Sequence, residues 1–524
     1  MLRSYFYQQS LLEVDPDELR LKRGSFEREL RAVLPKVVSV DDFLPLHPSA
    51  EGADTCDPLV LTGMLLLQYR FGLGDEELIS RCRRDLGFRY ALALEKDVPP
   101  PGVASLKRFR AALRGLKGPD WLFHQSLKLA VKDGQVSADE LQAIDSTNTD
   151  QRGATLDTYN LISATIRAVV LATAAELDRD ARSLAREWNA TRYLGRSFKG
   201  QVSINWSSES ERNALLTSEI LDSERIVKLV QQAMDPVPGD VAEAIELMRR
   251  VAAQDVERQP DGTFRMVRGT APGRVVSATD PEARHGHKSS SKTITGFKTH
   301  VMGTVTSQFV TAIDITSADV HDSVPTPVLI EQSASVGLKP TDAVGDAAYG
   351  TGPNRRACNE LGVTLHAKLP APRQGGFPKR DFTIDLDGMT VTCPGGETTS
   401  AYSMVKDPNG SDEKVANFRF PPPVCRACPL REQCGKRTAE GMGRLIALNV
   451  HEAEIQQAQR MNAQPEERAI LRQRCAIERL LAHLVRMGMR QARFFGVAMV
   501  RFQGFMTAAA YNLQRYMTLA AAAV

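Results

Sequence analysis

The stretch LRQRCAIERLLAHLVRMGMRQAR, Leu471 to Arg493, decides how the rest of the chain is read. Its apolar residues Ile477, Leu480, Leu481, Leu484 and Met487 recur at i, i+3, i+4 and i+7, the spacing of one buried stripe on an α-helix. The pattern predicts a single helix of about six turns. On it stands one acid, Glu478, among Arg472, Arg474, Arg479, Arg486, Arg490 and Arg493. A carboxylate in a positive field suits a group that holds a divalent cation beside a polyanion, because arginines neutralise phosphates while the acid keeps the ion. The competing reading is an ordinary ion pair with Arg474, one turn earlier on a half-exposed helix. Partner acids elsewhere must decide between the two.

With 524 residues the chain exceeds one hydrophobic core, and roughly two to four domains are expected. Hydrophobic residues at 42% and charged residues at 25% are those of a folded, soluble protein. A net charge of +3 does not mark a nucleic-acid binder, so local clustering has to carry that inference. No apolar run follows Arg3, which argues against a secretory signal. The apolar run from Phe494 to Val524 is broken by Arg501, Gln503, Asn512 and Arg515, which predicts a packed helix and no membrane span. The expected location is the cytoplasm.

Outward from the helix, two further acids stand at comparable positions. In DELQAIDSTNTD a short apolar approach, Leu141 to Ile144, ends on Asp145 and a polar turn. In KPTDAVGDAAYG the segment Ala343 to Gly345 runs as a strand onto Asp346, followed by a helix over Pro353 to Leu361 and a strand in VTLHAKL. Between them lie a helical stretch over about 154–250, a hairpin around Thr306-Ser307 and a helix over Val324 to Val336. Nearer the start, Pro58 opens a helix, Gly72 and Gly74 break it, and Asp75 to Arg84 form another. A basic helix after PPPG, with Ser105 as its N-cap, carries Lys107, Arg108, Arg110 and Arg114. Helix, turn and basic helix is the outline of a helix-turn-helix DNA reader; a solvated charged face is the alternative.

Residues from about 370 to 460 differ in texture, being rich in Gly, Pro, Asp and Thr, with a hairpin expected through Asp387-Gly388. Cys425, Cys428 and Cys434 stand as C-x2-C-x5-C, with Cys393 upstream on a turn. Such thiols in a loop-rich segment favour a structural zinc site over an iron-sulfur cluster or unligated thiols. Cys56, Cys82, Cys358 and Cys475 lack that company and are expected as core thiols.

A two-metal phosphoryl-transfer site needs several carboxylates around one ion pair, and Asp145, Asp346 and Glu478 would supply them. The segments AIDST, VGDAAYG and RQRCAIERLLAHL resemble the three acidic motifs of bacterial insertion-sequence transposases of the DDE, cut-and-paste class. GFKTHVMGTV is similar to that family's second strand, residues 57–94 with LKRFR to its DNA-binding region, and CRACPLREQC to the cysteine cluster of one subgroup. Arg474 matches an arginine the family places before its Glu. Leu471 and Val485 stand where it has Tyr and Lys, with Arg486 one position on.

The resemblance implies an α/β protein: an RNase H-like mixed sheet with flanking helices, an N-terminal all-α DNA-binding domain (1–135) and a small loop-rich zinc insertion (370–460). The catalytic domain would comprise 136–369 and 461–524. It implies Asp145, Asp346 and Glu478 as catalytic ligands of Mg2+ or Mn2+, and Cys393, Cys425, Cys428 and Cys434 as ligands of Zn2+. Arg474, Arg486, Arg490, Lys107, Arg108 and Arg110 would contact double-stranded DNA, both transposon ends and target, in a homodimer associated with the nucleoid and without a membrane. A fourth metal contact is open to Asp280, Asp314, Asp322 or Asp342, with Asp342 the nearest rival to Asp346. The alternative functions are a non-catalytic, zinc-stabilised DNA-binding regulator or domesticated relative, and a metal-dependent nuclease without strand transfer.

Overall fold

The computed structural model describes residues 15–46, 56–95, 97–195, 197–289, 292–369, 376–407, 412–435 and 442–523. The N-terminal part is helical: α1 (Phe26–Val37), α2 (Pro58–Phe71), α3 (Asp75–Arg84), α4 (Leu86–Ala91), α5 (Val103–Lys117) and α6 (Trp121–Lys132). Local chemistry sets these boundaries. Asp57 caps α2 by accepting from the Leu59 amide at 2.8 Å, Pro58 occupies the first turn, and Gly72 ends the helix at φ 68°. In α3 the acids Asp75, Glu76 and Glu77 sit at the positive end, and Arg81, Arg83 and Arg84 at the negative end. Helix α5 starts at Val103 with Gly102 as its N-cap, so Ser105 lies inside the helix.

The central sheet comprises β1 (Gln142–Asp150), β4 (Arg284–Ser289), β5 (Lys292–Thr304), β6 (Val310–Ser317), β7 (Asp342–Val344) and β8 (Thr364–His366). Its order is β6-β5-β1-β7-β8, and β4 continues the pairing along the end of β5. Strand β5 is antiparallel to β1, β4 and β6, while β7 and β8 run parallel to β1. The hairpin around Thr306-Ser307 is present, tied down by Glu140, which accepts from both turn amides. The polar run Ser146 to Asp150 is strand and not the expected turn; it pairs with β5 as far as Gly296. Thr149 explains how: its buried hydroxyl meets the Thr299 hydroxyl at 2.7 Å and the Met489 carbonyl at 3.0 Å. A polar strand whose groups are paired loses nothing by being buried.

Alternation along β1 and β5 sends Ala143, Phe297 and Val301 into one core and Ile144 and Met302 into another. The second lies under α11 (Thr326–Ser335) and α12 (Gly352–Glu360). Between β1 and β4 stands a helical unit, α7 (Thr158–Glu176), α8 (Ala181–Glu187), α9 (Glu209–Ala233) and α10 (Gly239–Asp255), with a hairpin of β2 (Val256–Arg258) and β3 (Phe264–Met266). It has its own core, including Tyr159, Ile166, Leu216 and Ile245. Among the described residues only α7 is long and apolar enough to cross a membrane, and 61% of that window is buried in this core.

After β8 come two small three-stranded sheets. One holds β9 (Thr383–Asp385), β10 (Thr390–Thr392) and β11 (Thr398–Thr399); the other holds β12 (Tyr402–Lys406), β13 (Lys414–Arg419) and β14 (Leu445–Ala447). The hairpin expected through Asp387-Gly388 joins β9 and β10. Short helices α13 (Pro422–Ala427) and α14 (Arg431–Cys434) carry thiols.

The chain ends with α15 (Glu452–Ala463), α16 (Pro465–Arg472), α17 (Cys475–Arg486) and α18 (Val497–Ala522). The single helix expected over Leu471 to Arg493 is therefore divided. It breaks at Gln473-Arg474 and stops after Arg486, where Gly488 at φ 95° lets the Met489 amide return to the Leu484 carbonyl at 3.1 Å. Residues 490–492 then bond both sides of Asp150 on β1. The apolar stripe survives in α17, where Ile477, Leu480, Leu481 and Leu484 are buried. Helix α18 is packed, as its interrupted apolar run predicts, against β6, α2 and α6. The N-terminal helices thus share one core with the sheet, α17 and α18.

Candidate active site

Parallel partner β7 pairs only with Gln142 and Ala143 of β1, and residues 490–492 take up the same edge only at Asp150, so between them that edge of β1 carries no strand. Asp145 sits at this opening, in the kind of crevice where open α/β sheets place their ligands. It lies on the strand face of Ala143, which belongs to the core closed by α17. Gly303 lets that helix approach: a Cβ there would meet a Leu480 methyl at 2.5 Å and the Phe309 carbonyl at 2.8 Å. On α17, Glu478 is exposed. Arg474 joins the two acids, one terminal nitrogen 2.6 Å from Glu478 Oε1 and the other 3.3 Å from Asp145 Oδ2.

Asp346 lies two residues past β7 and caps its own turn, accepting from the Ala348 amide at 2.8 Å. Gly345 admits the Tyr349 side chain against this strand end, where a Cβ would meet its Cβ and ring atoms at 3.0–3.2 Å. Tyr349 is fully buried; burial, and then Asp145, Asp322 and Asp346, push its phenol well up. Asp145 itself is raised to about 6, first by burial and then by the negative charge of Asp346 and Asp322, against the pull of Arg474. Asp322 pairs with Lys298 at 2.8 Å. Buried His300, bonded to Thr316 at 2.9 Å, is lowered to about 4 and stays neutral.

Of the three acids expected from the sequence, the structure sets Asp145 within electrostatic range of Asp346 and ties it to Glu478 through Arg474, and it adds Asp322, which the sequence left among four possibilities. Asp322 is paired with Lys298 yet acts on Asp145, whereas the other three bond elsewhere: Asp342 with His366 at 2.8 Å, Asp280 with the Gly496 amide at 3.1 Å, and Asp314 with Arg501 at 2.8 Å. Tyr349 had no signal of its own beyond its place in VGDAAYG. Among the described residues no three His, Cys, Asp or Glu side chains are drawn close enough to hold an ion. At Asp145 and Glu478 the Arg474 guanidinium provides the positive charge. The donors are nonetheless those of a hard divalent cation: carboxylates alone, one of them resisting ionisation first through burial and then through its negative neighbours.

Of the basic residues, Lys107 and Arg108 are exposed on α5, and Arg486 and Arg490 are exposed near the crevice helix, Arg490 in the loop after it. Arg110 is a correction. It is buried, pairs with Asp75 at 2.8 Å and bonds Gln68 at 3.0 Å, so it joins α5 to α2 and α3 and has no face left for a phosphate. Among the cysteines, Cys393 and Cys428 present their sulfurs to Gly395, while Cys425 accepts from the Arg444 amide at 3.4 Å and packs in one small core with Cys434.

Two family models match the chain. Residues 16–112 match one described as Transposase domain (DUF772), and residues 392–517 match one described as Transposase DDE domain. The two matches support an insertion-sequence DDE transposase. No curated protein and no solved structure matches it. The two matched stretches are brought together in this chain by the packing of α2 against α18. They contain Arg474, Glu478 and the four clustered cysteines, whereas Asp145 and Asp346 reach the crevice from β1 and β7 outside them.

Proposed function

We propose that this transposase binds the terminal inverted repeats of its own element, hydrolyses the phosphodiester at each end, and transfers the freed 3′-OH into target DNA. One observation supports the reading: Asp145 on β1 feels the negative charge of Asp346 beyond the end of β7 and shares Arg474 with Glu478 of α17, at the edge of a mixed sheet. The strand order, with β5 alone reversed, supports an RNase H-like catalytic fold.

In the first step water attacks phosphorus in line, the P–O3′ bond breaks, and the element keeps a 3′-OH while the flank keeps the phosphate. In the second that hydroxyl attacks a target phosphorus and releases a target 3′-OH, so one site serves both. Asp145, Asp346 and Glu478 would hold Mg2+ or Mn2+, which supplies activation of the attacking oxygen and charge neutralisation at the leaving one. Arg474, freed from the acids, would take a DNA phosphate, as would Arg486, Arg490, Lys107 and Arg108. Synapsis of two ends calls for at least two copies in the DNA complex. Cys393, Cys425, Cys428 and Cys434 would hold a structural Zn2+, since their unit has only a small core of its own.

End DNA, Mg2+ and a plasmid target test this together. Strand-transfer products support it, cleavage alone reduces the protein to a nuclease, and a gel shift without either makes it a regulator. Asp145→Ala and Glu478→Ala proteins that cleave like the parent would sink the site assignment.

A further inference from the structure

The helical unit between β1 and β4 contains a cleft of about 480 Å3 that the acid crevice does not use. Its walls include two aromatic rings, Tyr159 at the start of α7 and Trp206 ahead of α9, packed edge to face with centroids 5.3 Å apart. Lys199 Nζ stands over both, 4.6 Å from the Trp206 centroid and 5.3 Å from that of Tyr159. Arg212 and Arg274 complete the basic side. Of these cations, Lys199 shares Asp157 at 3.3 Å and Arg274 is matched by Asp255, while Arg212 donates to the Trp206 carbonyl and no acid shares that bond. A second hollow of about 210 Å3 shares Thr158, Met266 and Arg274 with the first and is bordered by His285 on β4, which extends the groove to the edge of the catalytic sheet.

Behind the cleft lies Glu219 of α9, wholly buried, with neither carboxyl oxygen hydrogen-bonded. It is within electrostatic range of Asp157 and Lys199, and its burial raises it to about 9. Being neutral, it adds no negative charge, and three cations outweigh the two acids at the walls. A ligand that is itself a cation is disfavoured here, because Lys199, Arg212 and Arg274 already line the cleft. A planar neutral ring bearing an anion suits these walls: the anion draws Lys199 and Arg212, and the ring takes the Trp206 face that Lys199 leaves, Tyr159 itself being buried.

We propose that this cleft holds one unpaired nucleotide of a DNA strand, its base on Trp206 and its phosphate on Lys199 and Arg212. The proposal rests on the chain acting on DNA but not on the three acids. The test uses the full chain, a short oligodeoxythymidylate and a duplex of equal length, read by binding titration and by tryptophan emission. Trp206→Ala should weaken the single strand roughly 5- to 150-fold and leave the duplex unchanged. Trp206→Phe should keep most of the affinity but lose the quenching, the remaining tryptophans being Trp121 and Trp188. Lys199→Ala should weaken the single strand and flatten its salt dependence. An Asp145→Asn protein should bind the oligonucleotide like the parent, which separates this site from the crevice. Equal single-strand affinity in parent and Trp206→Ala, or equal losses for single strand and duplex, overturns the proposal. A parent that binds neither DNA overturns the DNA-acting reading beneath it.

Discussion

The crevice on the sheet and the helical unit beside it each contain a carboxyl whose ionisation burial opposes, and they treat it in opposite ways. Asp145, raised to about 6, is surrounded by charge: Asp346 and Asp322 resist its ionisation and Arg474 favours it. Glu219, raised to about 9, has no hydrogen-bond partner and stays neutral at ordinary pH. The first environment is poised, since one added cation would tip it. The second is fixed, since only solvent entry would charge it. Two raised carboxyls in one chain thus support different inferences, and their surroundings decide which.

The largest test of the contrast is chemical. Asp145→Asn and Glu478→Gln should each lower end cleavage by about a thousandfold or more, the scale on which losing one member of a catalytic unit acts, with DNA binding retained in a gel shift. Glu219→Gln should leave cleavage within a few-fold of the parent. Equal losses in both would erase the distinction. Next in size is the support beneath the crevice. Leu480 is buried against Gly303, and Leu480→Ala should cost about 2–5 kcal/mol in denaturant unfolding.

Much of this contrast was legible in the sequence, and the reasons for the gaps are physical. Asp346 is readable because a short apolar run stops against Gly345 and a turn begins. The hairpin around Thr306-Ser307 and the helix starting at Asp75 announce themselves through local turn and cap chemistry. Asp145 is harder, because SerThrAsnThrAsp is polar enough to look like a turn until Thr149 finds Thr299, 150 residues away. Arg110 looks like a phosphate contact because its partner Asp75 is 35 residues distant and on another helix. The early end of the helix that carries Glu478 is signalled by Gly488, but the break at Gln473-Arg474 has no glycine or proline to announce it. Glu219 is invisible in sequence, being one acid among many in a long amphipathic helix. Local chemistry is written locally; which polar groups end up buried is settled by residues far along the chain.

Of smaller expected effect is the pH dependence of the helical unit. Glu219 has a folded-state pKa raised above its ordinary 4.5, so the folded chain holds that proton more tightly than the unfolded one. The resulting stabilisation is full below about 4.5 and drains as pH rises toward about 9, by at most about 1.4 kcal/mol per pH unit. Glu219→Gln should remove that slope. The stability of the variant minus that of the parent should grow steadily from pH 5 to pH 8 by denaturant titration, and a constant difference would mean that Glu219 is solvated after all.

The smallest effect on stability, and the sharpest on electrostatics, belongs to Arg474. Its bond to Glu478 is an i, i+4 pair with an exposed carboxylate, worth less than about 1 kcal/mol. Arg474→Gln should therefore unfold almost like the parent. Yet Arg474 is the cation that opposes the rise of Asp145. Its removal should move the ionisation of Asp145 in the metal-free protein upward from about 6, observable in the carbon-13 shift of that carboxyl across a pH titration. An unmoved titration would show that the arginine serves only its own helix. A shift without loss of stability would show that Arg474 stands in the crevice as a placeholder for positive charge, and that the two acids are held ready for something else to replace it.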